Sequence, residues 1–410
     1  MKIVHLADLH LGYRAYHRTR ALGINVREAD VAKAFREVLQ RVLEIGPDLV
    51  LVAGDVFHTV RPSNSAIADA FRQFAHFCAE SDGARVIIIA GNHDSPRAAE
   101  TGSILRLFDE IPGVHVVHHG AKRLVFPELD AAILCLPHSE LIASESATAI
   151  EPAPHVAHNI LLAHAAIDDE RLKLLMDFGA ARLKRGAIEP EQWSYVGLGH
   201  YHLRSRLAPN MFYAGGIERT SLNIWAEADA LPAQEPELRR WAGDTWPEAA
   251  WGKGFIEYDL EDDSVAFHTL ASPRPVIDLT PIIRDQEEAE ELDSAIESSL
   301  AKIPDGIDGK IIRLRIFELP RDIYRELDHK KIREYRTRAL HFHLDTKPPK
   351  AVRHEGSAAP GRRFTLEEEL AAFLKGRWTP SSKSVDMEEL VQLGVRYLRE
   401  AEDTRALENA

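Results

Sequence analysis

Cysteine, long apolar runs and basic charge are all scarce in this chain of 410 residues. The two cysteines, Cys78 and Cys135, stand among apolar neighbours, so we expect no disulfide and a reducing compartment such as the cytoplasm. Every unbroken apolar run is far shorter than the ~20 residues of a membrane-spanning helix. The N-terminus passes directly into a strand pattern without the features of a signal peptide. A membrane association is therefore not expected.

Basic side chains are in deficit overall, with 50 Lys and Arg against 64 Asp and Glu and a net charge of −14. This charge argues against a wholly basic nucleic-acid binder, although it does not exclude local basic surfaces. Residues 321–363 hold twelve Lys and Arg against six Asp and Glu. That segment is either a surface for an acidic partner or a charged, solvated face.

Residues 1–225 alternate short apolar runs with stretches of helical period, such as 29–43, which is typical of an α/β layer fold. The segment at about 226–252 contains several Pro and Trp residues and is interpreted as an inserted surface loop. A second, smaller α+β unit follows. The predicted elements there are helices at 286–301 and 322–337 and strands at 310–317 and 339–344, and two amphipathic helices are predicted in the tail.

Five short polar motifs come directly after apolar runs that are typical of strands. They are Asp8-Leu9-His10, Gly54-Asp55, Gly91-Asn92-His93-Asp94, His164 and Gly199-His200-Tyr201-His202. Because ligands collect beyond the carboxyl ends of strands in α/β sheets, we expect one metal centre. We count seven candidate ligands: Asp8, His10, Asp55, Asn92, His164, His200 and His202. Seven ligands exceed what one tetrahedral site needs, so two ions that share a carboxylate fit better. Oxygen and nitrogen donors without thiolate favour Mn²⁺, Fe²⁺ or Zn²⁺.

These motifs, in this order, resemble the calcineurin-like metallophosphoesterases. A narrower resemblance is to the DNA double-strand-break repair nucleases, the bacterial SbcD and meiotic-recombination nuclease family. It rests on the segment from Gly54 to Ser63, on Gly215 to Ser221, and on Lys253-Gly254-Phe255. The match is good over about residues 1–270 and looser beyond them.

The resemblance implies a two-sheet α/β sandwich flanked by helices, a smaller α+β capping domain and a C-terminal helical tail. The implied layout is a dimetal nuclease domain (1–271, with the insertion), a DNA-binding cap (275–345), a flexible basic linker (346–363) and a helix-loop-helix (364–410).

The resemblance also implies a role for each site residue. One ion would be held by Asp8, His10, Asp55 and His202, and the other by Asp55, Asn92, His164 and His200, with Asp55 bridging. His93, oriented by Asp94, would stabilise charge or protonate the leaving oxygen, and His58 would position the phosphate. The implied activity is Mn²⁺-dependent hydrolysis of DNA, exonucleolytic on duplex ends and endonucleolytic on single strands or hairpins, with Mg²⁺, Fe²⁺ or Zn²⁺ as alternative ions.

Contacts to DNA and to partners rest on weaker patterns. The basic, aromatic loop 13–20, with His17 and Arg20, is either a DNA contact or a solvated loop, and Arg61 and Ser63 are further candidates. Helices near Ile67–Phe77 and Leu105–Phe108 would form a homodimer or cover their own sheet. The tail would bind the coiled coil of an SMC-like ATPase (SbcC type) or fold back on the cap. The implied location is the cytoplasm, in association with the nucleoid.

Two other functions compete with a nuclease. A phosphomonoesterase or cyclic-nucleotide phosphodiesterase could use the same dimetal centre on small substrates, although the long cap and tail argue against it. A non-catalytic scaffold would be expected to have lost metal ligands, and the sequence keeps all seven.

Overall fold

The structure is a computed structural model that describes the chain in segments. They are residues 1–20, 23–96, 102–143, 150–168, 182–221, 223–225, 227, 252–283, 288–349, 365–376 and 386–408. Nearly all of the predicted insertion (226–252) and most of the predicted linker (346–363) lie outside these residues. The chain divides into two compact units, 1–348 and 349–410. Among the described helices, none has the length and apolar character needed to cross a membrane.

The first unit is built on two six-stranded mixed sheets. One sheet contains β1 (Lys2–Leu6), β2 (Leu49–Val52), β3 (Arg85–Ile89), β4 (Val114–Val117), β13 (Lys253–Asp259) and β14 (Ser264–Leu270). Its order is β14-β13-β1-β2-β3-β4, and β1 to β4 are parallel. The α/β sandwich that the sequence predicts is confirmed by this sheet together with the second one.

The second sheet contains β5 (Lys122–Phe126), β6 (Ala131–Leu136), β7 (His158–His164), β10 (Tyr195–Gly199), β11 (Ser205–Ala208) and β12 (Met211–Tyr213). Its order is β11-β12-β10-β7-β6-β5, with β6, β7, β10 and β12 parallel. A small parallel pair, β8 (Ala166–Asp168) and β9 (Arg182–Lys184), lies beside it. The carboxyl ends of β7 and β10 therefore lie next to each other.

The two sheets face each other across an apolar core to which Ile87, Ile89, Ile160 and Leu162 contribute. Alternate residues of each strand point to this core, because side chains alternate between the two faces of a sheet. His5 is the polar exception and is fully buried, with its Nδ1 2.9 Å from the hydroxyl oxygen of Tyr195. Cys135 also lies in this core, and Cys78 and Cys135 are both free thiols, as predicted.

Two long helices, α1 (Val26–Ile45) and α2 (Asn64–Glu80), cover the outer face of the first sheet, and a short helix, α3 (His138–Ala143), follows β6. Helix α1 extends the predicted stretch 29–43 at both ends, because Asn25 caps its first turn and Gly46 ends it at φ 63°. In the segments proposed for a homodimer contact, Phe74, Phe77, Leu105 and Phe108 are buried against this sheet, and Ile67 and Phe71 are partly buried against it.

The third sheet belongs to the cap and contains β15 (Val276–Asp278), β16 (Ile282–Ile283), β17 (Ile311–Phe317) and β18 (His341–Thr346). Helices α4 (Ala289–Ala301), α5 (Arg321–Glu326) and α6 (His329–Arg338) complete it. The prediction of a single helix at 322–337 is wrong, because two helices occupy this stretch. The chain breaks between α5 and α6 because Leu327 is buried in the cap core and the carboxylate of Asp328 accepts hydrogen bonds from the backbone of Lys330 and Lys331.

One ion pair, whose carboxylate is buried, joins the start of the cap to the sandwich. Arg274, just before β15, contacts Asp30 of α1 at 2.8 Å, and Arg27 contacts both Asp30 (3.1 Å) and Glu218 (3.5 Å). Trp225 packs beside these pairs, with the guanidinium of Arg313 4.9 Å from its ring centroid. Since breaking a buried pair leaves an uncompensated charge, this junction has a defined geometry.

The second unit contains helices α7 (Leu366–Gly376) and α8 (Met387–Glu408), in agreement with the predicted helical tail. They pack closely where Gly394 of α8 meets Leu370 of α7. Several large apolar side chains of this hairpin stay exposed, among them Leu366, Phe373 and Tyr397.

Candidate metal centre

The seven predicted ligands lie at the carboxyl ends of five parallel strands. Asp8 and His10 follow β1, Asp55 follows β2 and Asn92 follows β3, all in the first sheet. In the second sheet, His164 ends β7, and His200 and His202 follow β10. The two sheets thus contribute to one site at the edge where they meet.

Distances between donor atoms show that these side chains converge. The Nε2 atoms of His10 and His202 are 2.9 Å apart. The Oδ1 atom of Asn92 is 2.9 Å from His164 Nε2 and 3.4 Å from His200 Nδ1. The donor atoms of Asp8, His10 and His202 lie within 4.8 Å of one another, as do those of Asp8, Asp55 and His164.

Asp55 lies between the two halves of the site. Its Oδ2 atom is 3.7 Å from Nε2 of His10 and 3.6 Å from Nε2 of His164. One carboxylate thus lies close to a predicted ligand of each ion, which is the position that a bridging ligand requires.

The backbone at the ligands adopts an unusual conformation. Asp8, His10, Asp55 and His200 have positive φ angles of 51°, 46°, 52° and 110°. Residues other than glycine rarely adopt this region, and such strain is typical of functional sites. The sequence pattern does not predict it.

Two glycines allow the strand ends to approach. A Cβ atom at Gly91 would lie 2.1 Å from Oδ1 of Asp55, and one at Gly54 would lie 2.3 Å from Nδ1 of His164. Neither space admits a side chain. The glycines in the Gly-Asp and Gly-Asn-His-Asp motifs are therefore required by close packing around the donors.

Electrostatics within the site favour cation binding. Burial raises the pKa of Asp8 to about 7, and although His202 lowers it, the carboxylate of Asp55 adds to the increase. Burial also lowers the pKa of His10, and the neighbouring His202 and His93 lower it further. The lowered pKa keeps His10 neutral, the form that binds a cation, and a bound cation would relieve the repulsion between the buried carboxylates of Asp8 and Asp55. The residues present thus fit a pair of such ions.

His58 and His93 lie beside the ligands. Their rings stack with centroids 5.2 Å apart, and the ring centroid of His93 lies 4.9 Å from that of His10. The Nδ1 of His93 donates a hydrogen bond to the backbone carbonyl of His58 at 2.7 Å. Their donor atoms also lie within 4.8 Å of those of His10.

The prediction that Asp94 orients His93 does not agree with the hydrogen bonds. The buried carboxylate of Asp94 accepts from the backbone N–H groups of Val56 (3.0 Å), Phe57 (2.9 Å) and Gly91 (3.1 Å). It therefore fastens the loop after β2 to the loop after β3. The carbonyl of His58 orients His93 instead.

The predicted DNA contacts fall into two groups. His17 and Arg61 are exposed, and Arg20 is exposed as well although it carries an ion pair. Arg20 is paired with Asp30 at 3.3 Å, and Ser63 caps α2 while its hydroxyl donates to Glu28 at 2.9 Å. Since a hydroxyl has one proton, the prediction that Ser63 contacts phosphate as a donor is not supported.

Glu227 lies in the stretch interpreted as a surface insertion, and no sequence motif singles it out as a site residue. Glu227 is only 5% exposed and lies behind His202, where it contacts Ser221 and Lys253. Burial alone would raise its pKa, but the ammonium group of Lys253 and the imidazole of His202 together lower it. The only signal in the sequence was that Ser221 and Lys253 both belong to the quoted motifs.

The comparisons with known proteins agree with this geometry. Residues 1–203 match the calcineurin-like phosphoesterase family. This segment is a calcineurin-like phosphoesterase domain. It includes β1 to β10 and all seven predicted ligands.

Several curated proteins similar to this chain are named DNA double-strand break repair protein Mre11. The protein from Methanocaldococcus jannaschii is 37% identical over 110 residues, which are 27% of this chain and 28% of that protein. The protein from Methanococcus maripaludis is 32% identical over 123 residues (30% of this chain, 31% of that protein). The protein from Thermoplasma acidophilum is 28% identical over 234 residues (54% and 57%). The matches thus span about half of these relatives or less.

Proposed function

We propose that this phosphoesterase is a metal-dependent DNA nuclease, an exonuclease on duplex ends and an endonuclease on single strands and hairpins. The observation that carries the proposal is the position of Asp55, whose Oδ2 lies between Nε2 of His10 and Nε2 of His164. One carboxylate shared by two donor groups fits a pair of ions rather than one.

In this proposal, Asp8, His10, Asp55 and His202 hold one ion, and Asp55, Asn92, His164 and His200 hold the other. Two bound divalent cations, Mn²⁺ in our proposal with Mg²⁺, Fe²⁺ or Zn²⁺ as alternatives, would neutralise the phosphate and lower the pKa of an attacking water. His58 positions the scissile phosphate. His93, whose Nδ1 is engaged by a carbonyl, uses Nε2 to stabilise or protonate the leaving oxygen.

DNA as the substrate is supported by the names of the relatives and by basic surfaces. Arg61 is exposed in the loop between β2 and α2, and His17 is exposed in the loop after β1. Helix α6 of the cap carries Lys330, Arg333 and Arg336, together with Lys331 and Arg338, which pair with Glu297 and Asp308. Such groups give phosphate contacts that do not depend on base sequence.

The proposed assembly includes two protein contacts. The hairpin of α7 and α8 would bind the coiled coil of an SMC-like ATPase through its exposed Leu366, Phe373 and Tyr397. A homodimer would use the outer surface of α2 and of the segment around Leu107, which is 40% exposed, because their inward side chains already pack on the sheet. The complex would act in the cytoplasm, on the nucleoid.

The test is digestion of end-labelled duplex and hairpin DNA by the full chain with Mn²⁺, beside a small chromogenic phosphodiester. We expect cleavage of DNA and a drop of about 10³-fold or more in Asp55→Asn, which removes the shared charge. Asp305→Asn is the matched control, because Asp305 is exposed and also has a positive φ of 58°. Hydrolysis of the small diester without cleavage of DNA would contradict the proposed substrate.

A further inference from the structure

His202 makes contacts on both sides of its ring. Its Nε2 faces the metal centre, 2.9 Å from Nε2 of His10. Its Nδ1 faces away from the centre, 2.9 Å from the hydroxyl oxygen of Ser221. The group that contacts Nδ1 therefore decides which nitrogen carries the proton.

The hydroxyl of Ser221 is held by a buried ion pair. Its oxygen is 2.5 Å from Oε1 of Glu227, and the other carboxylate oxygen of Glu227 is 2.6 Å from the ammonium group of Lys253. Lys253 also donates to the backbone carbonyl of His202 at 2.7 Å. Glu227 and Lys253 are each 5% exposed, so water screens this pair little.

The protons of this group can be assigned by counting donors. A carboxylate paired with Lys253 can only accept, so Ser221 must donate its one proton to Glu227. The oxygen of Ser221 is then an acceptor toward His202, and Nδ1 of His202 must carry a hydrogen. A neutral imidazole with its proton on Nδ1 has its lone pair on Nε2, the atom that faces the metal centre.

We propose that Ser221, Glu227 and Lys253 form a positioning unit that fixes His202 in the tautomer able to bind metal through Nε2. The proposal rests on the proposed metal centre and deepens it. The three residues do not touch the substrate and act through His202.

His164 provides an internal comparison. Its Nδ1 is 2.7 Å from the backbone carbonyl of Ala53, which can only accept, so its Nε2 also carries the lone pair. The two histidines thus reach the same tautomer by different means. The backbone carbonyl cannot be removed by a side-chain substitution, whereas the unit behind His202 can.

The first test is the tautomer of His202 in the metal-free, full-length chain, read from the ¹⁵N shifts of its ring by NMR. We expect a proton on Nδ1 in the unaltered chain and a mixture of tautomers in Ser221→Ala. A proton on Nε2 in the unaltered chain would overturn the proposal. This measurement needs neither metal nor DNA, so it is independent of whether the proposed nuclease function is correct.

The second test is the affinity for Mn²⁺, measured by calorimetry. Loss of a group that orients a metal-binding histidine weakens binding by about 10- to 100-fold, which we expect for Ser221→Ala and Glu227→Gln. Ser221→Thr keeps the hydroxyl and should restore the affinity. Ser294→Ala, an exposed serine of α4, is the control.

Thermal unfolding of the metal-free variants separates positioning from folding. An unchanged Mn²⁺ affinity in Ser221→Ala and Glu227→Gln would overturn the proposal. So would an affinity loss that Ser221→Thr fails to restore while its unfolding temperature matches that of the unaltered chain.

Discussion

The predicted DNA contacts follow β1 and β2, as some of the predicted metal ligands do, yet the two sets of side chains are placed differently in the structure. All seven ligand side chains converge at one edge of the sandwich. Of the four DNA-contact candidates, Ser63 caps a helix and Arg20 is held by an ion pair with Asp30. Arg20, His17 and Arg61 are all exposed at the surface. Sheet geometry places a residue that directly follows a strand. A residue further along a loop is placed by local contacts that a sequence pattern does not show.

The largest effect should come from closing the space at a strand end. In Gly91→Ala, the new Cβ would meet Oδ1 and the backbone nitrogen of Asp55, at 2.1 and 2.4 Å. Since the backbone cannot move aside easily, we expect the free energy of unfolding to fall by about 1–3 kcal/mol. We also expect the chain to bind less metal. Calorimetric unfolding and metal content per chain measure both.

Gly186→Ala is the control for that substitution, because a Cβ at Gly186 meets no atom within 4 Å. It should change the free energy of unfolding by less than about 0.5 kcal/mol. Equal effects of the two alanines would show that the strand ends are not closely packed around Asp55.

A more confined effect, on activity alone, should separate the predicted ligands from their neighbours. His93→Gln removes the group proposed to act on the leaving oxygen, so kcat should fall by about 10²- to 10⁴-fold. The metal content should not change, because His93 is not assigned as a ligand. A loss of one ion per chain would instead place His93 with His10 and His58 in a metal site.

The smallest effects should divide the DNA-contact candidates. Arg61→Ala should lower the slope of log affinity for DNA against log salt by about 1 and leave stability unchanged, because an exposed arginine contributes mainly charge. Ser63→Ala should lower stability by about 1 kcal/mol, since it removes a helix cap, and should leave the salt slope unchanged. The reverse pattern would indicate that Ser63 contacts DNA and that Arg61 acts in folding.

The sequence predicts well that the seven side chains converge, because it needs only two facts about each, namely that a strand ends and that a donor follows. It predicts contacts between side chains poorly. The role of Asp94 depends on the backbone of Val56 and Phe57 in another loop, and that of Glu227 depends on Lys253 of β13. The apolar period also predicts one unbroken helix at 322–337. In the structure the helix stops at Leu327, which is buried in the cap core, and Asp328 caps a new helix.

The positive φ angles of the ligands have a thermodynamic consequence. Asp8, His10, Asp55 and His200 each hold a conformation that costs about 1–3 kcal/mol, and the metal-free fold bears that cost. An ion that binds only the native state returns stability by mass action, about 2.7 kcal/mol per site at a concentration 100 times the dissociation constant. With the proposed ions bound, metal supply would therefore set the stability of the fold as well as support its chemistry, and selection for stability alone would tend to erode these four positions.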